Sequence, residues 1–308
     1  MRLYIIIVTL STLLLFFINE ISDLNNKTTL VNNDPIKIGI HSSKIDELNY
    51  FEERISLSLD IIAIHIHWGN ENFLPKDIVE KAVLEEKTIF IFWNPMDYTK
   101  NNDEQEEFFY NKILSGDWDE YINLFIKDLK QYNTHFIISP FEEVNGYWVP
   151  WSGFNQNYGD IDLYKETFHY LRDKFRDKEN VSFSWVINNT SVPNVDENQI
   201  EKYYPGSDYV DIIGVNGFNF DNPWISFDEI FIPVIEELQK YNKPIYITSF
   251  ASAEGPQKSA WIDDFFASEI IREKRIWAWI WFHEDKEKDW RVWSDKNSEE
   301  SFKKGLQK

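Results

Sequence analysis

The sequence of 308 residues predicts an α/β fold, a single (β/α)8 TIM barrel. Eight apolar runs rich in β-branched residues recur along the chain, and amphipathic stretches separate most of them. Such near-continuous apolar strands indicate a parallel sheet covered by helices. No glycine-rich phosphate loop follows the first run, which argues against a dinucleotide-binding fold. Eight repeats in a stretch of this length favour a closed barrel over an open sheet.

The predicted strands end in polar or aromatic residues. They are Ile36–His41, Ile61–Trp68, Thr88–Asn94, Phe136–Glu143, Val181–Asn189, Val210–Asn219, Pro244–Phe250 and Arg275–Phe282. Helical periodicity predicts helices over stretches such as Pro75–Glu86, Trp118–Tyr132, Asp162–Phe175, Ser226–Tyr241 and Ser259–Ile271. Strand alternation puts Glu143 on one face with Phe141, and Ser249 on one face with Ile247. In such barrels the chemistry lies at the C-terminal strand ends.

A short N-terminal segment precedes the barrel. Arg2 and the apolar run Leu3–Ile18 predict a secretory signal peptide or an N-terminal membrane anchor. The run would extend only ~24 Å as a helix, short of a ~30 Å hydrocarbon core, which favours the signal. Residues 19–35 are polar and predict a linker, and residues 36–308 form the barrel. We expect an extracellular or cell-surface protein, with cleavage or membrane attachment through residues 1–18 left open.

Composition excludes several classes of function. A formal charge of -21 disfavours nucleic acid as a partner, because the chain would repel phosphates. The sequence has no cysteine, which excludes disulfides, thiolate catalysis and Cys-ligated metals. The pair His65-x-His67 is similar to metal-binding pairs, but the fifth and sixth strands end near Asn188 and Asn219, where a metal site needs further ligands. We expect neither a metal nor a cofactor.

The residues that follow the fourth strand carry the clearest chemistry. Glu142 and Glu143 form a carboxyl pair, and Trp148 and Trp151 follow after a turn predicted at Gly146. Cleavage of a bond between sugars needs a carboxyl group to protonate the leaving oxygen and benefits from flat rings that stack on pyranose faces. The adjacent charge would raise the pKa of one carboxyl group. The alternative interpretation is a solvated acidic turn beside core tryptophans.

Several ordered motifs carry a family resemblance. They are Asp60-Ile61-Ile62 with Trp68-Gly69; Ile113-x-x-Gly116-x-x-Asp119-x-Tyr121-Ile122; Glu143-Val144-Asn145-Gly146-x-Trp148-x-Pro150-Trp151; Tyr204-Pro205-Gly206 with Tyr209-Val210-Asp211-x-x-Gly214; and Ser249–Glu254 with Lys258-x-Ala260-Trp261-Ile262. Together they resemble glycoside hydrolase family 26, the β-mannanase family, whose acid/base motif is normally His-Glu-Met-Asn-Gly-x-Trp-Tyr-Pro-Trp. The resemblance implies a barrel with the acid/base, Glu143, on strand four and the nucleophile on strand seven.

The chain departs from the family pattern around these two positions. The resemblance puts Ser249 where the family has its nucleophilic Glu, and Phe218 where it has the Tyr that binds this nucleophile. Glu142 replaces a His, Ser139 an Arg, and Asn94 a Glu at the end of strand three. The scaffold is kept, and the residues around the implied reaction centre are altered.

Two substitutes for the lost nucleophile are considered. Ser249 itself would need a His base, and His283 follows the neighbouring strand, but no nucleophile-elbow pattern surrounds this serine. Glu254 could supply a carboxylate from the loop, and a separation of ~6.5–9.5 Å from Glu143 would fit an inverting mechanism. Loop carboxylates are, however, usually solvated.

The predicted substrate-binding residues lie at or after strand ends. They are the tryptophans Trp148, Trp151 and Trp281, together with Glu142, Asn145, Asn94, Phe218 and Asn219. The expected partner is a polysaccharide or oligosaccharide. The function stays open between a mannanase-like hydrolase of a β-linked polysaccharide and a non-catalytic carbohydrate-binding or surface protein on the same scaffold. An exported structural domain without a ligand is the third option.

Overall fold

The predicted (β/α)8 barrel is confirmed. The computed structural model describes residues 30, 32–42, 44–70, 74–156 and 161–307. The predicted signal or anchor, residues 1–18, and most of the linker lie outside the described residues. The strands pair in parallel and in chain order, and β8 pairs with β1 to close the barrel. The strands are β1 (Lys37–His41), β2 (Ile61–His67), β3 (Thr88–Asn94), β4 (Phe136–Pro140), β5 (Val181–Asn188), β6 (Ile212–Asn219), β7 (Ile245–Ser252) and β8 (Ala278–Phe282).

Helices lie between the strands and pack on the outside of the barrel. They are α1 (Ile45–Ile55), α2 (Lys76–Leu84), α3 (Tyr110–Leu114), α4 (Asp119–Leu129), α5 (Ile161–Lys174), α6 (Phe227–Leu238), α7 (Lys258–Ala267), α8 (Glu269–Arg272) and α9 (Lys296–Gly305). Each longer helix buries one stripe; α1, for example, buries Leu48, Phe51 and Ile55, which recur with the helical period. Within the described ranges, no helix has the length and apolar character needed to cross a bilayer.

The apolar core has two layers because strand residues alternate between the barrel interior and the helix-covered exterior. The interior layer contains Ile61, Ala63, Phe90, Phe92, Ile137, Val186, Ile212, Tyr246, Ala278 and Ile280. The larger outer layer joins the other strand face to the helices. A filled interior makes the barrel a rigid support for the loops at its C-terminal end.

The fourth strand ends earlier than the sequence predicted. Its ladder stops at Pro140, and Phe141 and Glu143 adopt left-handed backbone conformations with φ of 58° and 56°. Phe141 therefore packs into the outer layer, where its ring lies 5.4 Å from that of Tyr110. Glu143 turns toward the barrel mouth, and its N–H donates to the carbonyl of Val186 at 3.0 Å. The prediction that Phe141 and Glu143 share a strand face is wrong, since the backbone turns between them.

The seventh strand contains a bulge that sequence alternation did not predict. Val215 pairs with Ile247, but the next residue, Asn216, pairs with Ser249, so Thr248 is the extra residue. Ile247 belongs to the outer core, whereas Ser249 lines the barrel mouth. The prediction that these two residues share a face is wrong, and the bulge is the physical reason.

A buried lysine ties the first strand connections together. Lys87 Nζ donates to Glu52 Oε1 (2.7 Å), Ser58 Oγ (2.9 Å) and the carbonyl of Leu59 (2.7 Å), and its side chain is 1% exposed. Replacing it with Met should lower the free energy of unfolding by about 1–3 kcal/mol, because buried acceptors lose their donor. Urea unfolding measures this change.

The matched control is Lys76→Met, because the side chain of Lys76 is 76% exposed and pairs with Glu80 on the helix surface. Its effect should be at most about 0.5 kcal/mol. Equal unfolding midpoints for the two variants would contradict a structural role for Lys87.

Candidate active site

The predicted reaction centre lies in a cleft of about 750 Å³ at the C-terminal ends of the strands. Its lining brings together Glu142, Glu143, Trp148, Phe218 and Ser249, five residues that the sequence analysis had selected. A smaller cavity of about 370 Å³ lies at the other end, beside the first residue of β7, and contains none of the predicted residues. Both cavities have polar linings, but among the described residues the predicted site residues meet at the barrel mouth.

Glu142 is held by donors from three strands. Its Oε1 accepts hydrogen bonds from Asn94 Nδ2 on β3 at 2.8 Å and lies 2.8 Å from His65 Nε2 on β2. Its Oε2 accepts from Asn216 Nδ2 on β6 at 3.3 Å, which is long for such a bond. Glu142 is only 8% exposed, so its carboxylate is buried at the base of the cleft.

Glu143 lies beside it and nearer to solvent. Its Oε1 accepts from the same Asn216 amide at 2.8 Å, and its Oε2 accepts from Trp148 Nε1. One amide group thus links the two carboxyl groups. Trp148 is 39% exposed, so its ring is available to a ligand while its N–H positions Glu143.

Burial raises the pKa of both carboxyl groups to about 7. For Glu143 the negative charge of Glu142 raises the pKa further, while the hydrogen bonds from Asn216 and Trp148 lower it. Two carboxylates this close resist joint ionisation, so the pair retains a proton near neutral pH.

The tautomer of two neutral histidines sets which carboxyl group is ionised. His65 Nδ1 lies 2.7 Å from His41 Nε2, and burial holds the pKa of both rings well below the usual value. If His41 donates to His65, then His65 Nε2 carries a proton and donates to Glu142. Glu142 then accepts from three N–H donors, which stabilise its charge, and the shared proton lies on Glu143. Glu143 is thereby poised as an acid.

The opposite wall of the cleft, formed by β6, β7 and β8, carries no carboxylate, and Lys286 Nζ lies 5.7 Å from the centre of the Phe282 ring. Ser249 on β7 is 4% exposed, and the whole strand from Ile245 to Ser252 contains no acidic residue. Phe218 and Phe282 complete this side, with their rings at right angles and 5.6 Å apart. This wall offers a hydroxyl group and apolar surface, and no carboxylate.

Two further carboxyl groups line the cleft, and both are engaged in loop contacts. Glu229 Oε2 accepts from the Ser226 hydroxyl at 2.6 Å in the capping box of α6. Glu287 Oε1 accepts from Trp290 Nε1 at 3.0 Å. Glu229 thus caps the start of α6, and Glu287 holds Trp290 in the loop after β8.

Two of the predicted aromatic platforms are not in the cleft. Trp151 is 4% exposed, and its Nε1 donates to the backbone carbonyl of Glu142 at 2.8 Å, so it supports the carboxyl pair from below. Trp281 is fully buried between β8 and the outer helices, where its ring lies 5.1 Å from that of Phe250. The predictions that Trp151 and Trp281 stack on a sugar are wrong, because neither ring face is accessible.

The predicted asparagines have structural contacts. Asn145 Nδ2 donates to the carbonyl of Asn188, and its Oδ1 accepts from the N–H of the same residue. Asn219 Oδ1 accepts from the N–H groups of Asp221 and Ile225. Both are fully buried, which contradicts their predicted contact with substrate. Asn94 acts on the cleft indirectly, through its hydrogen bond to Glu142.

Neither substitute for the nucleophile is brought into place. Glu254 is exposed and accepts a hydrogen bond from the N–H of Asp289 at 2.7 Å, and it is not part of the cleft lining. His283 is buried, and its Nδ1 accepts from the N–H of Val292 at 3.2 Å. The structure therefore gives no support to Glu254 as a second carboxylate or to His283 as a base for Ser249.

Sequence reasoning missed the residues that organise the pair. Asn216 lies within an apolar strand, and a lone amide among apolar residues was the available signal. His41 and His65 each end or interrupt such a run in the same way. Tyr147 and Phe220, which are about half exposed, also line the cleft, as does Lys286.

Comparison with known proteins identifies the lineage. The sequence is 29% identical over 265 residues to Endoglucanase H of Acetivibrio thermocellus, covering 83% of this chain and 28% of that one. It is 29% identical over 155 residues to a mannan endo-1,4-β-mannosidase of Bacillus subtilis, covering 48% of this chain and 39% of that one. The chain thus spans well under half the length of these curated relatives.

Solved structures share the fold. A family 26 β-mannanase from Bacteroides ovatus superposes with a TM-score of 0.63 at 15% identity, covering 89% of this chain and 88% of that one. A modular endo-β-1,4-mannanase from Cellulomonas fimi gives a TM-score of 0.64 at 14% identity, with coverage of 89% and 71%. The model of glycosyl hydrolase family 26 matches residues 44–306. The chain therefore belongs to glycosyl hydrolase family 26, whose characterised members include mannanases.

Proposed function

We propose that the cleft binds a β-linked hexose polysaccharide and that Glu143 is the group that donates a proton to the linkage oxygen. The observation that carries this proposal is the carboxyl pair at the barrel mouth, in which burial raises the pKa of both groups to about 7 and Glu143 is the member nearer to solvent. General acid catalysis of glycoside cleavage needs such a protonated carboxyl group at neutral pH.

The surroundings of the pair support a neutral sugar as the ligand. Trp148, Tyr147 and Phe220 expose aromatic surface at the cleft, which suits the apolar faces of pyranose rings. A chain with formal charge -21 attracts no polyanion by long-range electrostatics. The names of the relatives, an endoglucanase and mannan-degrading enzymes, agree with a β-linked glucan or mannan.

The lack of a carboxylate on the β7 wall of the cleft argues against the usual retaining chemistry. The family resemblance puts the nucleophile at Ser249 and its hydrogen-bonding partner at Phe218. A serine hydroxyl without a base is a poor nucleophile, and retaining hydrolysis by carboxylates needs two of them ~5–5.5 Å apart on opposite sides of the sugar. We infer that this chain forms no covalent glycosyl-enzyme through β7.

A non-catalytic carbohydrate-binding protein is the second candidate function. Ser249 and Phe218 favour it, because both remove groups that the resemblance makes catalytic. The exposed aromatic rings of the cleft would serve binding equally well in either case.

For either function we propose that the protein works outside the cell or at its surface, since residues 1–18 have the composition of an export signal or anchor.

The charge of Glu142 should control the proton on Glu143. In Glu142→Gln the pKa of Glu143 should fall, because the neighbouring negative charge that raises it is removed. Carboxyl carbon chemical shifts followed across a pH titration measure this pKa directly. Glu287→Gln, which also removes a cleft carboxylate, is the matched control and should leave the pKa less changed. An unaltered Glu143 titration in Glu142→Gln would contradict the coupling.

The ring of Trp148 should contribute to binding. Trp148→Ala should weaken the binding of a β-1,4-linked manno- or gluco-oligosaccharide by about 1 kcal/mol, or roughly fivefold in Kd, the scale of one aromatic contact. Isothermal titration calorimetry measures this. Tyr50→Ala, at an exposed aromatic residue on α1, is the control and should bind like the parent protein. If no β-linked hexose oligosaccharide, N-acetylated or not, binds the parent protein, the proposed function is wrong.

The chain should form no covalent adduct with an activated 2-fluoro sugar. Such reagents trap a carboxylate nucleophile, and intact-protein mass spectrometry detects the added sugar. Removing a nucleophile costs on the order of 10⁴–10⁶ in rate, so we expect an unmodified mass for the parent protein. Ser249→Glu is the informative comparison, because it restores a carboxylate on the opposite wall. A stoichiometric adduct on the parent protein would overturn the inference about β7.

A further inference from the structure

Cleavage of a glycosidic bond needs a nucleophile as well as an acid. Glu142 and Glu143 are consecutive residues that follow β4, so both approach the cleft from the same side. A carboxylate there cannot attack from the opposite wall, where Ser249 and the two phenylalanines lie. Protonation of the linkage oxygen by Glu143 therefore needs a nucleophile that the cleft's β7 wall does not supply.

We propose that the nucleophile comes from the substrate, which is a polymer of β-linked 2-acetamido hexoses: the acetamido oxygen attacks its own anomeric carbon while Glu142 holds the acetamido N–H and Glu143 acts as acid and base. This inference rests on the proposed function, since it names the sugar that the same cleft would accept. Glycosidases that use a substrate acetamido group in this way form a recognised exception to the two-carboxylate scheme.

The hydrogen bonds of Glu142 leave room for an acetamido N–H. Its Oε1 is engaged by His65 and Asn94 at 2.8 Å, whereas Oε2 receives only the long 3.3 Å contact from Asn216 among the described hydrogen bonds. A carboxylate oxygen accepts two hydrogen bonds, so Oε2 can accept a further one from the ligand. The other contacts fix the carboxylate, and this preorganisation is what stabilisation of a developing charge requires.

The opposite wall has the character that an acetamido group needs. A carboxylate on β7 would repel the amide oxygen as it swings beneath the anomeric carbon. Ser249 is neutral and small, and it places no negative charge in that space. The rings of Phe218 and Phe282 line the cleft next to it and offer apolar contact to the acetamido methyl group. Ser249 and Phe218, which remove the means for attack by a protein carboxylate, therefore suit attack by a substrate acetamido group.

The bonds and protons balance over two steps. First, Glu143 donates its proton to the linkage oxygen as the C1–O bond breaks, and the amide oxygen bonds to C1; the bond electrons stay with the leaving oxygen. The cyclic oxazolinium ion is positively charged, and the Glu142 carboxylate stabilises it through the N–H. Second, Glu143 takes a proton from water, the water oxygen bonds to C1, and the amide oxygen leaves with its electrons. The product keeps its β configuration, and Glu143 is protonated again.

The test compares oligosaccharides of matched length and different sugars. The parent protein is given β-1,4-linked tetramers of mannose, glucose and N-acetylglucosamine, and a β-1,6-linked tetramer of N-acetylglucosamine. Binding is followed by calorimetry, and product formation by mass spectrometry. We expect turnover of an N-acetylated tetramer, and competitive inhibition by a thiazoline derivative of N-acetylglucosamine, which imitates the cyclic intermediate.

Two readouts separate this role of Glu142 from a merely structural one. Fluorination of the acetamido methyl weakens the amide oxygen as a nucleophile, so kcat/KM should fall stepwise from acetyl to trifluoroacetyl aryl glycosides. Glu142→Gln should lose on the order of 10²–10³-fold in kcat with little change in KM, the scale of one preorganised electrostatic contact. Glu287→Gln tests whether loss of any cleft carboxylate has this effect, and we expect far less.

The binding and turnover assays distinguish a failure of the acetamido mechanism from a failure of the proposed function. Binding of manno- or gluco-oligomers without binding of N-acetylated ones would overturn the inference and leave the proposed function standing. Binding of N-acetylated oligomers with neither turnover nor thiazoline inhibition would also overturn it and favour a binding protein. If no oligosaccharide binds, the proposed function itself fails.

Discussion

The site depends on one constraint, the burial of Glu142 within a fixed set of N–H donors. His65, Asn94 and Asn216 come from β2, β3 and β6, so only a closed barrel brings them to one carboxylate. A buried charge is stable only where hydrogen bonds replace its hydration. Because Asn216 also contacts Glu143, the position of the second carboxyl group follows from that of the first. Because the two carboxyl groups share this buried arrangement, they resist joint ionisation and retain a proton between them near neutral pH.

Local backbone irregularities then decide which residues face the cleft. The left-handed turn at Phe141 and Glu143 sends the first side chain into the outer core and the second into the mouth. The bulge at Thr248 likewise turns Ser249 into the mouth of the barrel. The Thr248 hydroxyl donates a hydrogen bond to Asn216 Oδ1 at 2.7 Å. Strained turns and bulges of this kind concentrate at functional sites, where they redirect side chains. The bulge thus also orients the amide that serves the carboxyl pair.

The sequence was a good guide to the fold and a partial guide to the site. Strand runs such as Thr88–Asn94 are near-continuously apolar, and their bounds were predicted from that pattern alone. The position of Glu143 followed from its motif. Burial was harder to predict. Trp148 and Trp151 follow β4 and Trp281 lies near the end of β8, but of the three only Trp148 is exposed, because exposure depends on packing between distant helices and loops. Asn216 could be recognised only once the barrel brought it to Glu142.

The negative charge of the carboxyl pair lies on one side of the cleft, beside the fourth strand. According to the resemblance, the family has one carboxylate beside the fourth strand and one on the seventh, whereas this chain has two beside the fourth and none on the seventh. Since the resemblance also gives the family a Glu at the end of strand three, where this chain has Asn94, both the number and the positions of the carboxyl groups differ. If catalysis had simply been lost, the loss of a nucleophile at Ser249 would not require a gain of Glu142 in a costly buried position. Three N–H donors hold this second carboxylate, and an unused buried charge would weaken the fold that contains it. The simplest physical account is that Glu142 acts on a ligand from the same side as Glu143, and that the ligand brings what the opposite wall lacks.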